Sequence, residues 1–207
     1  MSSKQFFDEV AGDWDEMRER FFSERVREKA FAVACVQPGR AAADVGAGTG
    51  FITEGLARRG LRVIAVDQSE EMLATMQKKF APFEGIEYRK GEAENLPVET
   101  SAVDYVFANM YLHHVESPPE AIREMARILK PQGRLTITDA DEHNFEFLRE
   151  EHHDRWLGFK REDIRKWFEQ AGLRNVSVCD INELCTVDSN CGSQRARISI
   201  FVASGEK

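Results

Sequence analysis

Asp44-Val45-Gly46-Ala47-Gly48-Thr49-Gly50 is the stretch on which the reading of this chain turns. It directly follows a short apolar run, Ala41–Val45, and directly precedes a segment, Ile52–Arg59, whose apolar residues recur at helical spacing. Glycines at 46, 48 and 50 permit a tight turn and let a ligand approach the backbone with no Cβ atoms in the way. Free N–H groups at the start of the next helix favour a negatively charged ligand group.

Outward from this loop the pattern alternates. Further strands are expected at Arg62–Val66, Ile86–Lys90, Val103–Ala108 and Arg134–Thr138, with helices at Glu70–Phe80 and Pro119–Leu129 between them. Strands separated by helices of about ten residues pair in parallel through right-handed crossovers, which gives a three-layer α/β sheet. The tail departs from this alternation. His143–His153 and Glu162–Ala171 read as helices, and Val176–Ile181 and Ile198–Val202 as strands joined by a long loop, residues 182–196. Two strands without a crossover helix pair antiparallel. The expected fold is therefore Rossmann-like α/β, a mostly parallel seven-stranded sheet with an antiparallel C-terminal edge hairpin. Residues 1–40 read as a helical lid or flank, closed by the turn Gln37-Pro38-Gly39, and residues 41–207 as the core domain.

The chain has 207 residues, 42% hydrophobic and 31% charged, which fits one globular domain. No apolar run reaches the ~18–20 residues of a bilayer span, and the first residues lack the basic-then-apolar pattern of a signal peptide. A cytoplasmic location is the expectation. A net charge of −8 disfavours a nucleic-acid substrate, and the basic groups Arg58-Arg59-Arg62 and Lys78-Lys79 read as solvated helix ends. Four cysteines are too few for a disulfide framework.

The glycine loop by itself fits a dinucleotide or S-adenosylmethionine (SAM). Asp67, seventeen residues after Gly50, ends the second strand, where a carboxylate suits a ribose diol in either ligand. Asp44 separates the two. A carboxylate beside this loop repels the pyrophosphate of a dinucleotide, whereas it can hold the ammonium of SAM while helix N–H groups receive the carboxylate. Helix or turn capping is the plainer role for both acids. Gly91-Glu92-Ala93-Glu94-Asn95-Leu96-Pro97 follows the third strand, and a turn there can meet the adenine through Glu92 or Ala93, or be an ordinary turn. Asn109 ends the fourth strand at the same sheet edge and leads to Tyr111-Leu112-His113-His114.

Together, Asp44–Gly50, Asp67, Gly91–Pro97, Asp104–Ala108, Leu112–Val115 and Leu129-Lys130-Pro131-Gln132-Gly133-Arg134, with Phe7 and Trp14-Asp15 ahead of them, resemble the class I SAM-dependent methyltransferases. The resemblance covers residues 5–140 and is nearest to the small-molecule branch that includes ubiquinone/menaquinone and arsenite methyltransferases. It implies SAM as cofactor and a small-molecule acceptor. It further implies a binding set of Asp44, Gly46, Ala47, Gly48, Thr49 and Gly50 around the methionine part and Asp67 on the ribose. Gln68 and Met72 would flank the adenosine, Glu92 and Ala93 would meet the adenine, Asn109 would lie near the methionine end, and Trp14 would close over the cofactor or simply pack.

Methyl transfer from a sulfonium needs alignment and water exclusion more than a catalytic side chain. Should the acceptor have to lose a proton, His114, His113 and Tyr111 are the candidates for the base, because they follow the fourth strand. His152-His153-Asp154 reads as a solvated helix face in preference to a metal cluster or proton relay. Cys179, Cys185 and Cys191 lack the CxxC spacing of a metal site, and none is expected, although Cys185 and Cys191 in the long loop can overhang an acceptor. A nicotinamide-dependent oxidoreductase and a non-catalytic SAM-binding protein are the competing readings.

Overall fold

Seven strands form where hydrophobic and β-branched residues cluster: β1 (Ala41–Val45), β2 (Arg62–Asp67), β3 (Ile86–Lys90), β4 (Val103–Asn109), β5 (Leu129–Ala140), β6 (Arg174–Asp188) and β7 (Arg195–Glu206). In the computed structural model, which describes residues 3–207, they make one sheet in the order β3-β2-β1-β4-β5-β7-β6. β1 to β5 pair in parallel, and β7 runs antiparallel to both β5 and β6. The expected Rossmann-like sheet with its antiparallel C-terminal edge is thus the observed one.

Both faces are covered, so β1 is buried at every position. Its residues alternate between two apolar layers. Ala42 packs with Phe31, Leu56 and Phe107 beneath α3 (Arg25–Ala34) and α4 (Phe51–Arg58). Ala41, Ala43 and Val45 pack on the other face, where α6 (Pro118–Ile128) and α8 (Arg161–Gln170) contribute Ile122, Met125, Ile164 and Phe168. α5 (Glu70–Lys79) is capped by Ser69, whose hydroxyl accepts the Met72 N–H at 3.0 Å. Because α3 packs into this core, only α1 (Ser3–Val10) and α2 (Trp14–Phe21) lie apart from it. α1 has no buried residue.

The tail differs from the sequence expectation in two places. The long loop at residues 182–196 is mostly sheet: β6 and β7 run on past the expected strands and turn at residues 189–194. A bulge between Asp180 and Leu184 hides this, because Asn182 takes a left-handed conformation (φ +60°) and breaks the two-residue alternation. The expected helix His143–His153 shrinks to α7 (Phe147–Glu151), since His153 also turns left-handed (φ +60°). The chain then doubles back, with the Arg155 and Trp156 N–H groups both donating to the His113 carbonyl at 3.0 Å. No helix among the described residues is long and apolar enough to cross a membrane.

Candidate functional site

The strand order reverses between β1 and β4, and the loops leaving these neighbouring strands diverge to open a crevice at the carboxyl edge. The glycine loop lies there, pinned by Gly46 and Ala47 N–H groups donating to the Val66 carbonyl at 2.9 and 3.1 Å. Gly46 has φ +68°, and a Cβ on it would overlap the Tyr111 ring, so both backbone and space require glycine. Over Gly48 sits Trp14, whose indole Nε1 lies 3.5 Å from where a Cβ would be.

Asp44 is almost wholly buried and one carboxylate oxygen accepts the Thr53 N–H at 2.9 Å and the Thr53 hydroxyl at 2.7 Å. It therefore does satisfy an N–H of the first turn of α4, and it also borders the cavity. Burial pushes its carboxyl up to about 7, against the downward pull of the Thr53 bonds. Asp67 accepts N–H bonds from Gly48 (2.8 Å) and Ser69 (2.9 Å), and burial raises it as well. Two buried carboxylates around one cavity make a site suited to a positive ligand group.

The remaining expected residues divide. Gly46, Ala47, Gly48, Thr49, Asp67, Gln68, Met72, Asn109, Tyr111, His114 and Trp14 all border this cavity with Asp44. Gly50 caps α4 behind it. Glu92 and Ala93 are not brought in. Ala93 is buried in the apolar core, and the Tyr111 hydroxyl rests on its backbone, so the phenol ring stands between this turn and the glycine loop. Glu92 opens instead onto an adjoining groove, which shares Gln68, Tyr111 and His114 with this cavity. That anchorage, with burial driving its hydroxyl far above the ordinary tyrosine value, makes Tyr111 a wall and not a base.

Sequence reasoning missed Arg18. It is buried, borders the same cavity, and stacks its guanidinium 4.4 Å from the Phe51 ring centroid. Its Nε has no hydrogen-bond partner. The signal was present: Arg18 is four residues from Trp14 and so shares its helix face. The α1–α2 cover is tied down by side chains. Asp15 accepts the Thr49 hydroxyl at 2.7 Å and pairs with Lys79 at 2.6 Å, and Ser69 donates to Asp8 at 2.6 Å.

A second cavity shares Phe7, Trp14, Phe22, Met110 and His114 with the first. It is largely aromatic and aliphatic, but His113, His143, His152, Asp154 and Cys185 also border it. The expected solvated face at His152–Asp154 is therefore overturned: after the left-handed turn at His153 these side chains point inward. His113 Nδ1 is 2.7 Å from Asp139, and its Nε2 is 3.8 Å from Asp154. Burial would lower the His113 pKa, but the Asp139 and Asp154 carboxylates outweigh it and push it up to about 9. Burial, aided by the neighbouring His113, holds His114 well below the ordinary value. Cys185 is buried here with its thiol pushed up to about 12 by burial, whereas Cys179 and Cys191 are exposed, so the three cysteines do not share a site.

The donor set matches SAM part by part: carboxylates for its positive charges and ribose, an unpartnered buried guanidinium nitrogen for its carboxylate, and open backbone at the glycine loop. Residues 43–137 match the model of the methyltransferase domain family. The chain is 30% identical over 161 residues to a chloroplast 2-methyl-6-phytyl-1,4-hydroquinone methyltransferase of Arabidopsis thaliana, covering 76% of this chain and 47% of that one. It is 27% identical over 195 residues to a ubiquinone biosynthesis O-methyltransferase of Coxiella burnetii, covering 85% and 83%. The first curated relatives it matches are longer, and the chain spans less than half of their length. Among solved structures, a methyltransferase partner of the Trm112 activator from Haloferax volcanii superposes with a TM-score of 0.78 at 20% identity, covering 97% and 96% of the two chains. Sheet order, loop chemistry and these matches converge: the chain has the fold of the class I SAM-dependent methyltransferases, and its residues 43–137 match a methyltransferase domain.

Proposed function

We propose that this protein transfers the SAM methyl group to a small, largely apolar acceptor seated in the aromatic cavity. The observation that carries this reading is the shared wall between the two cavities. A crevice that carries the charged groups Asp44, Asp67 and Arg18 among apolar side chains abuts a more uniformly apolar one at Phe7, Trp14 and His114. An in-line displacement needs nucleophile and leaving group on opposite sides of the methyl carbon, and such a junction provides that.

SAM, when bound, supplies an activated methyl group on a sulfonium. The chain's own residues bind and orient. Asp44 holds the ammonium, Arg18 the carboxylate and Asp67 the ribose hydroxyls, while Gln68 and Met72 flank the nucleoside and Asn109, its carbonyl held by Thr138 at 2.7 Å, borders the methionine end. Phe7 and Trp14, in edge contact at 5.2 Å between centroids, exclude water over the junction. His114 borders both cavities and is the basic group nearest a departing acceptor proton, with His113 behind it. One relative is named as a hydroquinone methyltransferase and another as an O-methyltransferase of ubiquinone biosynthesis, and flat aromatic alcohols suit an aromatic cavity. Asp44 argues against the oxidoreductase reading, because a buried acid beside the loop repels a pyrophosphate.

The test is release of S-adenosylhomocysteine from SAM with a panel of quinols, phenols and amines. Turnover with an aromatic acceptor, abolished by Asp44→Asn, is expected. A folded, ligand-free sample that binds neither SAM nor S-adenosylhomocysteine in calorimetry would falsify the proposal.

A further inference from the structure

Three side chains able to ligate a metal converge on the wall of the aromatic cavity. His113, His114 and Asp154 each offer one ligand atom, and these atoms lie within 4.8 Å of one another. Outer hydrogen bonds fix which imidazole nitrogens face inward. His113 turns Nδ1 to Asp139 at 2.7 Å, which leaves Nε2 facing Asp154. His114 is bonded to the His153 backbone, and its buried Nδ1 has no partner. Asp139, fully buried, keeps its other oxygen unpartnered, as does His152 at Nε2 on the same cavity. Carboxylate behind histidine behind an inward lone pair is the arrangement that orients a metal-binding imidazole. Asp139, fully buried, and Asp154, partly buried, draw positive charge close by, met by the His113 ring between them or by a cation that it ligates.

We infer that the cluster of His113 Nε2, His114 Nδ1 and the Asp154 carboxylate binds a divalent transition-metal ion. Two nitrogens and one oxygen suit zinc or its first-row neighbours, and side-chain adjustments of about 1 Å reach the ~2.0–2.2 Å that such bonds require. Three protein ligands leave a coordination position open to the cavity, where water or the heteroatom of an acceptor can bind. Asp139 acts as the positioning residue for His113. Sequence spacing does not show this site, because its residues come from the turn after β4, the end of β5 and the returning segment after α7. Ion binding is read without SAM or acceptor, so the test is separate from that of methyl transfer; with the ion bound, His114 is a ligand and no longer the base.

The full chain, stripped with a chelator, is titrated with Co²⁺ and followed by visible d–d absorption, with Zn²⁺ competing in calorimetry. One ion per chain is expected, weakened about tenfold or more in His113→Ala and in Asp154→Asn. Asp154→Asn keeps the side chain's shape and decides the matter should His113→Ala melt. A Cys35→Ser, Cys179→Ser, Cys191→Ser background removes the exposed thiols as competing ligands, of which Cys191 has its pKa lowered to about 7 by the Ser193 and Ser189 hydroxyls. Three results would each overturn the site: no stoichiometric binding to the wild-type chain, binding indifferent to Asp154→Asn, or an intense thiolate-to-cobalt band that places Cys185 in the first coordination sphere instead.

Discussion

Asp44 illustrates how one buried charge links stability to ligand binding. Its folded value of about 7 lies above the ordinary 3.8, so the folded chain holds this proton more tightly than the unfolded one. Stability of the ligand-free protein is expected to fall through this group as pH rises from about 4 to 7, and to level off above, where burial of the ionised form is fully felt. Asp67, raised for the same reason, adds in the same direction. Affinity for SAM runs oppositely. It is expected to climb by up to about tenfold per pH unit below 7, as the carboxylate that meets the ammonium forms. Calorimetric titrations at several pH values, on wild type and Asp44→Asn, check both signs; the variant should be weaker and nearly flat. At Gly46, alanine must adopt φ +68° and displace the Tyr111 ring. A loss of about 1–3 kcal/mol in denaturant unfolding is expected, together with loss of SAM binding. Arg18→Gln keeps most of the packing on Phe51 and should weaken SAM about tenfold while moving the melting point little.

Among the elements, α1 is held by polar ties, whereas α2 also buries Arg18 against Phe51. α1 buries nothing, and its links run through Asp8 to Ser69, with Asp15 on α2 reaching Thr49 and Lys79. Exposed or half-exposed ties of this kind are individually weak. Amide exchange in α1–α2 should therefore be fast in the free protein and slow on adding S-adenosylhomocysteine, while exchange in α3 stays slow throughout. Equal protection of all three helices without ligand would show a fixed wall instead of a cover.

For the whole molecule, the packing of α3 draws a line inside the first forty residues. Phe31 meets Phe107 at 5.3 Å between centroids, and Ala30 and Ala34 join the same layer. We expect a chain beginning at Ser23 to melt cooperatively without binding SAM, and one beginning at Ala41 to lose its cooperative transition, both followed by circular dichroism. Phe107→Ala, at the centre of this layer, should cost about 3–5 kcal/mol. The two cavities depend on the same frame: both open at the carboxyl edge of β1 and β4, and the hairpin of β6 and β7 brings Cys185, Val187 and Ile198 to the second.

The order of strands and longer helices from residue 41 to residue 140 and the position of the glycine loop were legible in the sequence, because each rests on neighbouring residues; the two helical stretches read in residues 4–37 are three helices. Side-chain period, a turn that only glycine fits and an acid two positions before it are local facts. The tertiary structure alone decided the rest. It buried Arg18 in the crevice, set Tyr111 between the glycine loop and the Glu92-Ala93 turn, and turned Asp154 and His152 inward. It also joined His113 to Asp139 across 26 residues. These outcomes hang on left-handed turns at non-glycine residues, His153 and Asn182, and on which way a side chain faces once distant segments pack. Neither leaves a periodic trace along the chain.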